Sequence, residues 1–477
     1  MLLLGQNIVK EYGIQTVLDI KKFEIHDGDR IGLIGPNGAG KSTFLDILCG
    51  EIPYEKGMIK CNCDIAKISQ RGESDGISDG KFLSQMKLSQ SMLKSGGEKT
   101  RLAIASAFSK HAALLLADEP TTNLDVNGIQ TLENMLIGYK GAIVLVSHDR
   151  KLLDKVCNQI WELEDGELRI FPGNYNTWMK QKTREREFAE FEYGKYRNEK
   201  KRLEKTMRQV KQEAQKISKT PKKMSSSEWM LYKGNASIKQ GRVQNRAKAL
   251  KSRMEQLEEK ERPKELPKVS MKFGEQQKMK AKVAARIDGL SIGYDNKVIV
   301  KDVKIQVLSG KKTFLTGDNG TGKTSIIRCL MNHEDYTFIT SEAKVGYFSQ
   351  NQENLDLEKT VLENVMTTAI VPEHICRAVL INLYMRENDF SKKIAILSGG
   401  ERVKTAIAKL LVSGCNFIIL DEPTNHLDIY AMEGLEKLLL EYEGTLLIVS
   451  HDRKMIENLA DFIYEIKENQ IFNIDKF

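Results

Sequence analysis

Four short motifs occur twice in this chain, in the same order, and that duplication constrains the fold more than any other feature. GPNGAGKST at 35–43 returns as GDNGTGKTS at 317–325, a shift of 282 residues. SGGE at 95–98 returns at 398–401, DEPT at 118–121 returns at 421–424, and SHDRK at 147–151 returns at 450–454, each shifted by 303. Such ordered recurrence marks two copies of one structural unit. The second copy is a net 21 residues longer between its first two motifs, and the length is added after the glutamine: Gln350 and Ser398 are 48 apart, whereas Gln70 and Ser95 are 25 apart. The first copy is therefore expected to carry a shortened helical subdomain.

Within each copy, apolar runs such as IGLIG (31–35), ALLLAD (113–118) and AIVLVS (142–147) have the continuous hydrophobicity of parallel strands covered on both faces. Each run leads into a glycine loop, an acidic pair or a helix start. The predicted fold is α/β, with domains at 1–179 and 286–477. A chain of 477 residues with 41% hydrophobic residues is long enough for two such cores.

Both glycine loops satisfy G-x-x-x-x-G-K-[ST], in which backbone N–H groups curl around phosphates. The candidates for nucleotide contact are Gly35, Asn37, Gly38, Gly40, Lys41, Ser42 and Thr43, and Gly317, Asn319, Gly320, Gly322, Lys323, Thr324 and Ser325. Lys41 and Lys323 suit the β- and γ-phosphates; Ser42 and Thr324 suit Mg²⁺. Asp118 and Asp421 end apolar runs and suit a metal contact. The adjacent Glu119 and Glu422 suit polarising an attacking water. His148 and His451 follow the next apolar runs and suit sensing a γ-phosphate. Ser95, Gly96, Gly97 and Glu98, with Ser398, Gly399, Gly400 and Glu401, read as helix starts that can face an anion.

From 180 to 266 the composition changes. Lysines and arginines number 26 against 13 acids, a net charge of +13, so the rest of the chain carries −5 of the total +8. Tyr196, Leu203, Met207, Val210, Ala214 and Ile217 form one heptad-like seam; Val243, Ala247, Leu250, Met254 and Leu257 form another. These predict an antiparallel helical hairpin whose first helix has about 35 residues and reaches roughly 50 Å. A tip lies at about 218–242, and 267–285 connects to the second domain. Trp229, Met230, Leu231 and Tyr232 in the tip lie outside both seams and are candidate contact residues. A balanced solvated coil gains from i,i+4 ion pairs; a twofold excess of one sign instead favours a polyanionic partner.

No run approaches the ~20 apolar residues of a membrane span, and the start MLLLGQNIVKEYG has no signal-peptide core. The seven cysteines are irregularly spaced, and the lone Cys61-x-Cys63 pair lacks further ligands, so free thiols in a reducing cytoplasm are expected.

Phosphate loop, glutamine, SGGE, DEPT, LD and SHD in this order resemble an ATP-binding-cassette protein over about 1–178 and 286–477. The resemblance implies ATP and Mg²⁺ as ligands, and an ATPase whose halves pair within one monomer. Gln70 and Gln350 then join the metal site, and Tyr12 and Tyr294 take the place of the adenine-stacking aromatic. Lys41, Ser42, Gln70, Asp118, Glu119 and His148 would face Ser398–Glu401; their second-half counterparts would face Ser95–Glu98.

Tandem cassettes around a basic hairpin, PTNHLD at 423–428 and GNYNTW at 173–178 narrow the resemblance to the ABC-F group, most like resistance members of the Vga, Lsa and Msr type. That implies a cytoplasmic protein without a membrane part. Its partner would be the 70S ribosome, at ribosomal RNA and tRNA near the exit site and the peptidyl-transferase centre. Its function would be protection of that centre from antibiotics. The alternatives are a housekeeping translation factor of the same group and the ATPase pair of a membrane transporter; the latter leaves the hairpin charge unexplained. The first half departs from the family pattern at Lys94, where Leu is usual, and at PTTNLD (120–125).

Overall fold

The computed structural model describes residues 1–69, 86, 96–122, 124–217, 226–256, 278–294, 297–349 and 355–474; at 96, 214–217, 226–237, 294 and 297 it gives the backbone alone. The chain forms two compact units. One comprises Met1–Trp178 with Leu266–Phe477, and the other Met179–Glu265.

The first unit contains both copies of the repeat. Each has a six-stranded sheet with the same strand order. In the first copy this is Ile65–Ile68, Leu114–Asp118, Ala142–Val146, Arg30–Ile34, Gln159–Glu164 and Glu167–Pro172. In the second it is Val345–Phe348, Phe417–Asp421, Thr445–Val449, Lys312–Gly317, Phe462–Lys467 and Gln470–Ile474. All neighbours pair parallel except the last two strands of each sheet, which form an antiparallel edge. The second and third strands of each sheet are buried at every residue, as their unbroken apolar sequences require. A three-stranded antiparallel sheet accompanies each: Leu3–Tyr12 with Gln15–Ile25 and Lys56–Cys61, and Val283–Tyr294 with Lys297–Leu308 and Thr337–Ile339. Phe23, Phe44 and Trp161 lock the first core edge to face, with centroids 5.1 Å and 5.7 Å from Phe23. The strand Val283–Tyr294 begins three residues inside the stretch that sequence alone leaves as a connector.

Between 70 and 95 only Met86 is described, so the expected shortened subdomain lies outside the described residues. In the second half the corresponding region holds the helices Val361–Met366 and Glu373–Asn382.

The second unit is built on two long helices, Tyr175–Ile217 and Ser226–Glu255, the first contributing its initial turn to the other unit. The first helix has 43 residues and spans about 65 Å. It starts earlier than the charge pattern implies because Asn174 caps it, accepting the Thr177 N–H at 3.1 Å. Arg253 meets Glu199 at 3.3 Å and Arg246 approaches Glu213 at 3.9 Å, so the two helices run in opposite directions. Leu203 and Val210 are buried, and Val243, Ala247, Leu250 and Met254 are half-buried among exposed neighbours. The second helix begins at Ser226, well before the seam at Val243, so Trp229–Tyr232 lie on helical backbone. Among the described residues no helix is long and apolar enough to cross a membrane.

Candidate functional site

Each phosphate loop joins a buried strand to a helix. The turn into the helices Lys41–Leu48 and Lys323–Met331 needs left-handed backbone at Gly40 (φ 94°) and Gly322 (φ 90°), which a side chain would resist. Gly35 has a different constraint: a Cβ there would lie 2.2 Å from the Leu163 carbonyl oxygen. Lys41 Nζ donates to the Gly35 and Pro36 carbonyls at 2.9 and 3.0 Å, and Lys323 Nζ donates to those of Gly317 and Asp318, both at 2.8 Å. Burial lowers the pKa of both ammonium groups.

The acidic pairs follow the next strands. Burial raises the Asp118 and Asp421 carboxyls, while hydrogen bonds with Ser42 and Thr324 act against it. Hydroxyl and carboxylate thus converge beside each loop, an oxygen set that suits Mg²⁺. The next residues, Glu119 (φ 48°) and Glu422 (φ 51°), sit in the left-handed region, a strain of about 1–3 kcal/mol for non-glycine residues. Their N–H groups donate to Val146 and Val449, both at 2.9 Å, which holds the strained turn in place.

His148 Nε2 lies 3.0 Å from Glu119 Oε1, and His451 Nε2 lies 3.1 Å from Glu422 Oε1. These contacts are close but poorly aligned, because neither Oε1 has a hydrogen-bond partner. Burial pushes the two glutamic acids up to about 8, and the histidines down to about 3 and about 4. A general base must be unprotonated. The kcat/KM for ATP is therefore expected to rise through about pH 8, while the neutral histidines add no limb above about pH 5. A pH–rate profile flat from about 6.5 to 9 would exclude these carboxyls as bases.

Tyr12, Lys41, Ser42, Asp118, Glu119 and His148 line one cavity of about 340 Å³, which also takes in Asn37, Gly38, Gly40 and Thr43. In the second half Tyr294 ends its strand, but its side chain lies outside the described residues, as do Gln70, Gln350 and Ser95 entirely.

The structure brings the second SGGE to the first loop. Ser398 caps the helix Gly399–Leu411 in a reciprocal box with Glu401. A Cβ on Gly400 would lie 3.0 Å from Asn37 Nδ2, and Asn37 Nδ2 donates to the His426 carbonyl at 2.8 Å. In the reverse direction Gly96, Gly97 and Glu98 open the helix Gly96–Ser109, and Asn127 of the first half donates to Asp318 at 3.0 Å.

Sequence reasoning missed several residues that join the halves. Asp428 caps the helix Ile429–Glu441 and accepts from Lys404 at 3.1 Å and from the Asn37 N–H at 3.4 Å. Burial works upward on its carboxyl, but Lys404 and these donors outweigh it and hold the pKa low. Arg150 donates to Glu436 and, at 2.9 Å, to Asp452; Arg453 mirrors it on Glu133 at 3.2 Å and Asp149 at 3.1 Å. The signal was present: these six residues repeat at the same shift of 303.

A P-loop, a strand-end Asp-Glu and a histidine, closed by a serine-capped helix from the other half, define an ATPase of the ATP-binding-cassette class. The ABC transporter family pattern matches residues 18–78 and 300–425. The chain is 30% identical to the putative ATP-binding protein YdiF of Bacillus subtilis, over 99% of this chain and 81% of that one. It is 30% identical to the ribosome protection protein VmlR of the same organism, over 98% and 86%. It is also 30% identical to the erythromycin resistance ATP-binding protein MsrA of Staphylococcus epidermidis, over 96% of each. Among solved structures, the RNase-L Inhibitor superposes with a TM-score of 0.66 at 19% identity, covering 98% of this chain and 90% of that one. The chain belongs to the ABC-F family and is an ATP-hydrolysing enzyme.

Proposed function

We propose that this ATPase binds the 70S ribosome and protects the peptidyl-transferase region from antibiotics through its basic hairpin, with ATP hydrolysis driving release. The observation that carries this reading is the charge partition, +13 in 180–266 against −5 elsewhere. A polyanion such as ribosomal RNA relieves that excess. VmlR and MsrA, named for ribosome protection and erythromycin resistance, support it.

In the cycle, Lys41 and Lys323 bind the phosphates of ATP as point charges. Ser42 with Asp118, and Thr324 with Asp421, would hold Mg²⁺, which would supply positive charge beside the transferring phosphoryl group. Glu119 and Glu422 take the proton of the attacking water. His148 and His451 orient against the γ-phosphate. The helix starts at Ser95–Glu98 and Ser398–Glu401 supply N–H groups from the opposite half.

Ribosome association is expected to fall steeply with salt, because Lys and Arg of 180–266 displace counterions from RNA phosphates. Co-sedimentation across a salt series checks this. Binding that is flat with salt points to a protein or membrane partner. A drug-susceptibility panel with and without expression separates target protection from a housekeeping role in translation.

A further inference from the structure

The helix Ile429–Glu441 of the second half carries Asp428 at its cap, and Asp428 meets Asn37 of the first phosphate loop. What fixes this helix against the first half is a row on one face, at positions 430, 433 and 436. Tyr430 donates its hydroxyl to Glu162 Oε1 at 2.6 Å. Glu433 accepts from the Tyr175 hydroxyl at 2.8 Å, and Glu436 accepts from Arg150. The Tyr430 ring packs on Trp178 (6.1 Å between centroids) and on Tyr384 (5.6 Å), and Trp178 packs on Tyr175 (5.4 Å). Tyr430, Glu162, Tyr175 and Trp178 are all buried. Burial, reinforced by Glu162, keeps the Tyr430 phenol protonated and able to donate.

Among the described residues, the other composite site repeats only one member of this row, Glu133 with Arg453 at 3.2 Å. There the corresponding helix, Val126–Ile137, is capped by Asp125, and the position equivalent to Tyr430 is Asn127. Its hydrogen bonds to Asp318 are exposed to solvent. A donor–carboxylate bond in a dry seam is short and strong, while one in water is weakened by competition. The two helices repeat each other in sequence, and both hold an arginine of the opposite half, yet among the described residues only Ile429–Glu441 adds buried tyrosine–carboxylate bonds.

We propose that Tyr430, seated on Glu162 and Trp178, is a positioning residue for the first ATP site alone: it fixes Asp428 against the first phosphate loop, so that this site retains its nucleotide longer than the second. The inference rests on the assignment of the two ATP sites given above. It also means that the first turn of the long helix, which supplies Tyr175 and Trp178, takes part in closing that site.

Release of a methylanthraniloyl-labelled ATP from the full chain tests this. The parent is the Glu119→Gln, Glu422→Gln protein, which keeps nucleotide intact. Lys41→Ala and Lys323→Ala on that parent each remove one release phase and so assign the phases to sites. Tyr430→Phe, which keeps the ring packing, is expected to speed release from the Lys41 site roughly tenfold and to leave the Lys323 site within about twofold. Glu162→Ala should do the same, Glu162→Gln, which retains an acceptor oxygen, should restore most of the retention, and Tyr430→Phe with Glu162→Ala should be no faster than either alone. Unchanged release from the Lys41 site, or equal acceleration at both sites, overturns the proposal. Hydrolysis persisting in the parent, or no phase lost with either lysine, would instead defeat the site assignment itself.

Discussion

Replacing Glu119 and Glu422 together by Gln is expected to lower ATP turnover about 100-fold or more, the usual worth of a positioned proton acceptor. ATP affinity should change little. In the proposed cycle neither carboxylate holds the phosphates, which fall to the loop N–H groups and to Lys41 and Lys323. Gln keeps the size of the side chain and the backbone donors to Val146 and Val449. It also adds little burial cost, because these sites already favour the uncharged acid. With closure intact and hydrolysis lost, the ATP-loaded form should accumulate on ribosomes and slow translation in a cell-free system. Phosphate release checks the first part and ribosome pelleting with ATP the second. Wild-type turnover in the double variant would remove Glu119 and Glu422 from the chemistry.

The second large effect concerns Trp229, Met230, Leu231 and Tyr232. They lie on the early turns of the helix Ser226–Glu255, ahead of the seam that starts at Val243. Successive helical positions are about 100° apart. Four large apolar residues in a row therefore spread over most of a helix circumference, more than one packing stripe accounts for. Aromatics stack on splayed RNA bases, and Met adapts to irregular pockets. Changing all four to Ala is expected to bring the minimum inhibitory concentration down to that of cells lacking the protein, with ATPase activity and ribosome pelleting kept. The stems would then position the protein on RNA phosphates while these residues act on the drug region. Full resistance in a stable variant would move protection elsewhere on the protein.

The parts of this protein legible in its sequence are those that local rules write. Glycines at 40 and 322 announce a turn only they make comfortably, and the runs ending at Asp118 and Asp421 announce strands covered on both sides. The pairing of Gly400 with Asn37 was legible only through family resemblance, since nothing near either residue names the other. Arg150 and Glu436 are 286 residues apart, and only their recurrence as Arg453 and Glu133 at the repeat shift marks them. The left-handed backbone of Glu119 and Glu422 was equally hidden, because Glu is an ordinary residue whose strain is imposed by its neighbours in space. The start of the first long helix was misplaced for a different reason: charge excess begins near 180, but the cap that sets the helix is Asn174. The helix Ser226–Glu255 runs through Gly234, inside the stretch read from sequence as the tip, since one glycine costs a helix only about 1 kcal/mol.

Arg150 reaches acids of the second half, Arg453 reaches acids of the first, and Asn37 touches the carbonyl of His426. On two separate chains such reciprocal contacts would assemble a symmetric pair that falls apart on dilution. On one polypeptide the partners can part without diffusing away and meet again at an effective concentration that a connecting segment sets, up to roughly millimolar for short flexible ones. Each contact can therefore be weak enough to break in every cycle without losing its mate. The rate of opening and closing becomes a property of the single molecule, the same at one copy per cell as at thousands.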